Sequence, residues 1–144
     1  MLPPQVVDTA AFLDVVGGWQ QVVLGDTATG LSRLEDGLAR VAGAAGMSGG
    51  PWREYAEVLM TMPLRREQAI RILRWQTAHS AVNTGQSFLS LARALEADGD
   101  GVRARDAYQH VLRLWHLADP YRQPEIDRAT AALTRLAAEH GKAR

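Results

Sequence analysis

Four histidines, His79, His110, His116 and His140, are the side chains of this sequence best suited to holding a metal. Imidazole is a common zinc ligand, and two ligands share a helix face only at a spacing of three or four residues. His110 and His116 are six apart, which leaves them about 120° out of line on a helix turning about 100° per residue. No HExxH pattern occurs either, so no metal site is expected. The carboxylate pairs Glu35-Asp36 and Asp98/Asp100 could do acid–base work only if one member were desolvated. Both pairs fall at a turn or on an outward helix face, where carboxylates stay hydrated. Asp98-Gly99-Asp100-Gly101 opens like a calcium loop, but Val102, Ala104 and Gln109 then stand at loop positions 5, 7 and 12, so the bidentate glutamate is missing. The glycine run from Gly43 to Gly50 lacks GxxxxGK[ST] and follows no strand, so it is no phosphate cradle. With no cysteine there is no thiol nucleophile, disulfide or Cys-ligated zinc. The expectation is a protein without catalytic residues, metal or cofactor, and not an enzyme.

Charge narrows the partners. Sixteen basic residues balance sixteen acidic ones, so no net field draws the chain to nucleic acid or to an anionic membrane. The densest basic group is Arg65, Arg66, Arg71 and Arg74 beside Trp75, a fork that could hold an acidic peptide. Glu67 and Gln68 interrupt it, and a hydrated, salt-bridged helix face is the simpler reading. The opening MLPPQVVDTAAFLDVVGGW has no basic n-region and carries Asp8 and Asp14 among its apolar residues, unlike a secretory signal. No window approaches the roughly 18 apolar residues of a membrane span. A cytoplasmic protein is expected.

The elements that must carry any site are helices. At 144 residues, with 47% hydrophobic and 22% charged residues, the chain has the size and composition of one folded domain spanning 1–144. Glycine and proline divide it into segments 8–24, 27–42, 52–62, 65–80, 84–97, 102–118 and 124–140, each with apolar residues three or four apart. Phe88, Leu91, Ala92 and Leu95 illustrate the pattern. Period-two strand patterns are missing, so the class is all-α. Connections of two to four residues in the first and third pairs make their helices antiparallel hairpins. Gly25, Gly30, Leu34 and Gly37 align with Gly99, Ala104, Tyr108 and Val111 at a constant offset of 74, and Ala69 with Leu73 falls near the midpoint. Three hairpins result. Residues 124–140, with Ile126, Ala129, Leu133 and Leu136 in one stripe, fit a C-terminal capping helix.

Phe88, Leu91, Ala92, Leu95, Gly99, Ala104 and Tyr108 occupy in order the signature positions of the tetratricopeptide repeat, which the chain resembles over about residues 11–140. The first hairpin is similar to divergent repeats in the tails of bacterial ATPases and transcriptional activators. Asp14 departs from the family pattern, standing where an aromatic is usual. The resemblance implies a right-handed stack of three antiparallel hairpins that holds a peptide or helix of another protein in a concave groove. By motif position it selects Phe12, Val15, Trp19, Val22 and Val23 in the first hairpin and Gln86, Leu89, Arg93 and Glu96 in the third. Glu54, Val58 and Thr61 are the middle counterparts.

The expected function is a non-enzymatic protein–protein interaction scaffold, binding a partner helix, a peptide or a second copy of itself through the groove or the N-terminal apolar edge. Trp19, with Phe12 and Val15 before it, is the expected anchor, since an open solenoid edge invites another chain to cover it. The alternative is a ligand- or peptide-sensing regulatory domain of a larger signalling ATPase or activator, for which a large apolar pocket between hairpins would speak. No nucleic acid, membrane or metal is expected as a partner.

Overall fold

Seven α-helices and two short 3₁₀ turns account for the structure in the computed structural model, which describes residues 9–45, 50–79, 84–118 and 120–142. The helices are α1 (Thr9–Val23), α2 (Thr27–Ala45), α3 (Gly50–Met60), α4 (Arg66–His79), α5 (Thr84–Ala97), α6 (Gly101–Leu114) and α7 (Gln123–Lys142). No strand occurs among the described residues, and the fold is all-α. The expected helix over 102–118 ends early, at Leu114, where the Trp115 N–H makes the last bond, 2.9 Å to the Val111 carbonyl.

The chain divides into two compact units, residues 1–55 and 56–144, the division falling inside α3. In the first unit α1 lies close along α2. In the second, α4 packs on α5, α5 on α6 and α6 on α7. Leu34, Leu38 and Tyr55 are fully buried in the first unit, and Leu59, Leu73, Val111 and the polar Gln76 in the second. Deep burial of a leucine or valine is worth about 1.5–3 kcal/mol each.

The turns of the first and third hairpins have the same geometry. Gly25 has φ +98° and Gly99 φ +84°, the left-handed region that glycine adopts without penalty. Asp26 N–H bonds back to Gln21 O at 3.0 Å and Gly25 N–H to Val22 O at 3.1 Å. In the third hairpin Asp100 N–H bonds Leu95 O at 2.9 Å and Gly99 N–H bonds Glu96 O at 3.0 Å. This double bond pattern closes a helix C-terminus around an αL glycine. Each aspartate then caps the next helix, its carboxylate accepting from Thr29 N–H (3.3 Å) or Arg103 N–H (3.1 Å). The middle connection differs. Met62 is extended before Pro63, and a 3₁₀ turn, Pro63–Arg65, intervenes.

Candidate functional site

The two helices of the first hairpin cross on glycine. A Cβ on Gly18 would lie 2.7 Å from Gly30 O, and one on Gly37 would lie 2.9 Å from Ala11 O and from a Val15 methyl. Contact this close fixes which side of α1 faces α2: Ala11, Val15, Gly18 and Val22. Asp14, on the flank, accepts hydrogen bonds from Arg33 (3.0 Å) and from Arg40, tying α1 to α2 a second time. The Arg33 bond first, and Arg40 next, hold its carboxyl below the ordinary carboxylate value.

What remains of α1 is an outward stripe. Phe12, Leu13, Val16 and Val23 are 54%, 59%, 48% and 78% exposed, four bulky apolar side chains at helical spacings of one, three and seven residues. Thr9 and Gln20 complete the stripe and no charged residue lies on it. Isolated exposed apolar residues are ordinary, but Phe12, Leu13 and Val16 together on one helix face make a cluster.

The residues expected to bind a partner therefore separate into two groups. Phe12 and Val23 lie on the exposed stripe, and Trp19 stands half-buried at its margin. Val15 is a correction, because the close glycine crossing turns it into the α1/α2 interface where it is buried. Val22 is half-buried, its methyl 2.7 Å from where a Gly30 Cβ would stand, and it too faces α2. Leu13 and Val16 were not among the expected residues. The glycine at position 18 carries the signal that finds them, since the side bearing the small residue is the side that packs.

In the third hairpin Leu89 is a second correction, buried in the core of the second unit at 2% exposure. Gln86 and Glu96 are engaged by α7. The Gln86 amide donates to Glu125 (3.3 Å), while Glu96 accepts from Tyr108 O–H (2.8 Å) and from Arg135. Arg93 is exposed and, with Glu57, Met60 and Ser90, lines an open depression of about 230 Å³. Its polar floor is already paired, Ser90 O–H donating to Glu57 at 2.5 Å. This hollow is smaller than the roughly 300–1,000 Å³ of small-molecule sites. Of the middle counterparts, Glu54 pairs with Arg53, Val58 is half-buried, and Thr61 is exposed with its hydroxyl donating to Val58 O (2.7 Å).

Three histidines are committed locally. The Nδ1–H of His79, His110 and His116 donates to the carbonyls of Trp75 (2.8 Å), Asp106 (2.9 Å) and Arg113 (2.8 Å). The His79 and His110 rings also stack on Trp75 and Phe88 at 4.6 and 4.7 Å. The His140 side chain lies outside the described ones. Arg122 sits over both Trp115 (5.1 Å) and Tyr121 (4.9 Å) and pairs with Glu125 at 3.2 Å, while the Trp115 indole lies against Gly85 of α5. Among the described residues no group of three His, Asp or Glu could hold a metal ion, and no helix is long and apolar enough to cross a membrane. Compared with known proteins, the chain matches no family model, no curated protein and no solved structure.

Proposed function

We propose that this chain is a helical-repeat protein of tetratricopeptide type that works without catalysis, as an interaction module holding a helix of another chain on the outward face of α1. The observation that carries the reading is the uncharged stripe Phe12, Leu13, Val16 and Val23, four bulky side chains left open to solvent by a hairpin whose opposite side is sealed on glycine. Burying such a row around an aromatic anchor is the usual source of affinity where an amphipathic helix docks. The repeat character is supported by the two matching Gly-Asp turns, 74 residues apart, each closing a helix and opening the next. The sensor alternative draws no support from the small, internally paired depression beside Arg93.

The test uses Phe12→Asp and Val16→Asp, singly and together, beside the unchanged chain as bait in its native lysate. The expected result is a retained protein lost with both variants while helical circular dichroism stays intact. Retention that ignores both substitutions would overturn the reading.

A further inference from the structure

Independently of the α1 stripe, we propose that α7 is a strap that detaches from the second unit as one piece while α5 and α6 stay folded, and that ionic strength sets how often it does so. The polar contacts that α7 makes with α5 share one spacing. The Gln86 amide donates to Glu125 and Glu96 accepts from Arg135, and the partners of each pair are 39 residues apart. A constant offset means that α7 runs parallel to α5 and is pinned to it at two points about 15 Å apart, the length of ten helical residues. Both pins are weak. The first is long, at 3.3 Å, and in the second the Arg135 side chain is 54% exposed, where dissolved salt screens the pair effectively.

Little apolar surface holds the strap between its pins. Among its described side chains Ala129, Ala132 and Leu136 are buried, with Ile126 and Leu133 half-buried. The shorter α4 buries Ile70, Ile72 and Leu73 besides Ala69. Hydrophobic stabilisation follows the apolar area removed from water, so α7 is held less firmly over its 20 residues than α4 over its 14. The Thr130 and Thr134 hydroxyls donate back along the helix, to Ile126 O (2.9 Å) and Thr130 O (3.1 Å). Such back-bonding slightly weakens a helix. By contrast α5 is packed by α4 on one side and α6 on the other. Elements with few buried apolar contacts open below the free energy of global unfolding. Helices in proteins owe most of their stability to packing, so a detached α7 loses its backbone hydrogen bonds and its amides exchange with solvent.

The experiment is hydrogen exchange read by mass spectrometry on the full chain, at about 0.05 and about 0.5 M sodium chloride, with the unchanged chain and with Arg135→Ala. Amides of residues 129–136 should share one protection factor, at least about 10-fold below those of residues 89–95 and 104–111. Higher salt and Arg135→Ala should each speed exchange across α7 by about 2- to 5-fold, the worth of an exposed ion pair, and leave α5 and α6 unchanged. Exchange in α7 at the rate of α6 overturns the strap, since α7 would then open only with its whole unit. Protection that falls steadily towards the C-terminal end of α7 and ignores salt overturns it as well, because the event is then fraying. The salt comparison needs no substitution, so it decides the matter even if Arg135→Ala disturbs the fold.

Discussion

Gly18 of α1 and Gly30 of α2 meet backbone to backbone, so that a methyl group on either would stand 2.7 Å from the other's carbonyl oxygen. Backbone on both sides cannot step aside as a flexible side chain would. Gly30→Ala gains about 1 kcal/mol of helix propensity but forces the helices apart, and overpacking costs about 1–3 kcal/mol. The expected result is a net loss of up to about 2 kcal/mol, read as a lower urea midpoint by circular dichroism.

Gly25 separates conformation from space. Nothing lies within 4 Å of its would-be Cβ, and its φ is +98°. Gly25→Ala should cost about 1–2 kcal/mol through backbone strain alone, while Gly25→Asn should lose less than half of that, because asparagine tolerates the left-handed region better.

Trp115 reports on the end of the second unit. A Cβ on Gly85 would fall 2.2 Å from the indole Nε1, so Gly85→Ala must displace the ring and with it the Arg122 guanidinium above it. The tryptophan emission should move to longer wavelength, and Trp115→Phe should abolish that response. Arg122→Ala should cost about 0.5–2 kcal/mol through the lost cation–π and ion-pair contacts.

Glu96 of α5 joins two further helices through Tyr108 and Arg135. Burial first, and the bond to Glu96 second, push the Tyr108 hydroxyl above the ordinary tyrosine value of 10.0. Its contribution to stability is therefore complete below about pH 10 and falls as the pH rises further, because the unfolded chain then releases a proton that the folded one keeps. Tyr108→Phe should flatten the alkaline side of the stability profile. Glu96→Ala, which leaves the buried hydroxyl unpaired, should cost about 1–3 kcal/mol in thermal or urea unfolding.

Asp14 acts at the other end of the scale. Its lowered pKa gives stability that is present above the ordinary value of 3.8 and is lost as the pH falls through the lower value of the folded chain. Asp14→Asn should reduce the acid sensitivity of the first hairpin, and added salt should weaken the same contribution, since both guanidinium partners are substantially exposed.

The helices were legible in the sequence because apolar spacing and glycine or proline breaks coincide at nearly every boundary. The Gly25-Asp26 and Gly99-Asp100 turns were legible because two glycines with positive φ must precede two capping side chains. The outward face of α1 was only half legible. Motif position placed Phe12 and Val23 correctly on the surface but put Val15 there as well, since periodicity gives a stripe without saying which of two apolar sides meets the neighbour. On a helix as apolar as TAAFLDVVGGWQQVV both sides look buried, and only the Gly18–Gly30 contact distinguishes them. The roles of Gln86 and Glu96 were not legible, because Glu125 and Arg135 lie 39 residues away from each and no local pattern announces such a pairing.

The two aspartate turns also set a rule of length. Asp26 ends the bond pattern of one helix and begins the cap of the next, with Gly30 N–H already bonded to its carbonyl at 2.9 Å, so no residue in the connection is idle. One residue added or removed there would rotate α2 by about 100° and carry Gly30 away from Gly18. Surface loops ordinarily absorb such changes; this one cannot. A chain carrying one residue inserted between Gly25 and Asp26 should lose the α1–α2 contact and unfold at lower urea than the unchanged chain.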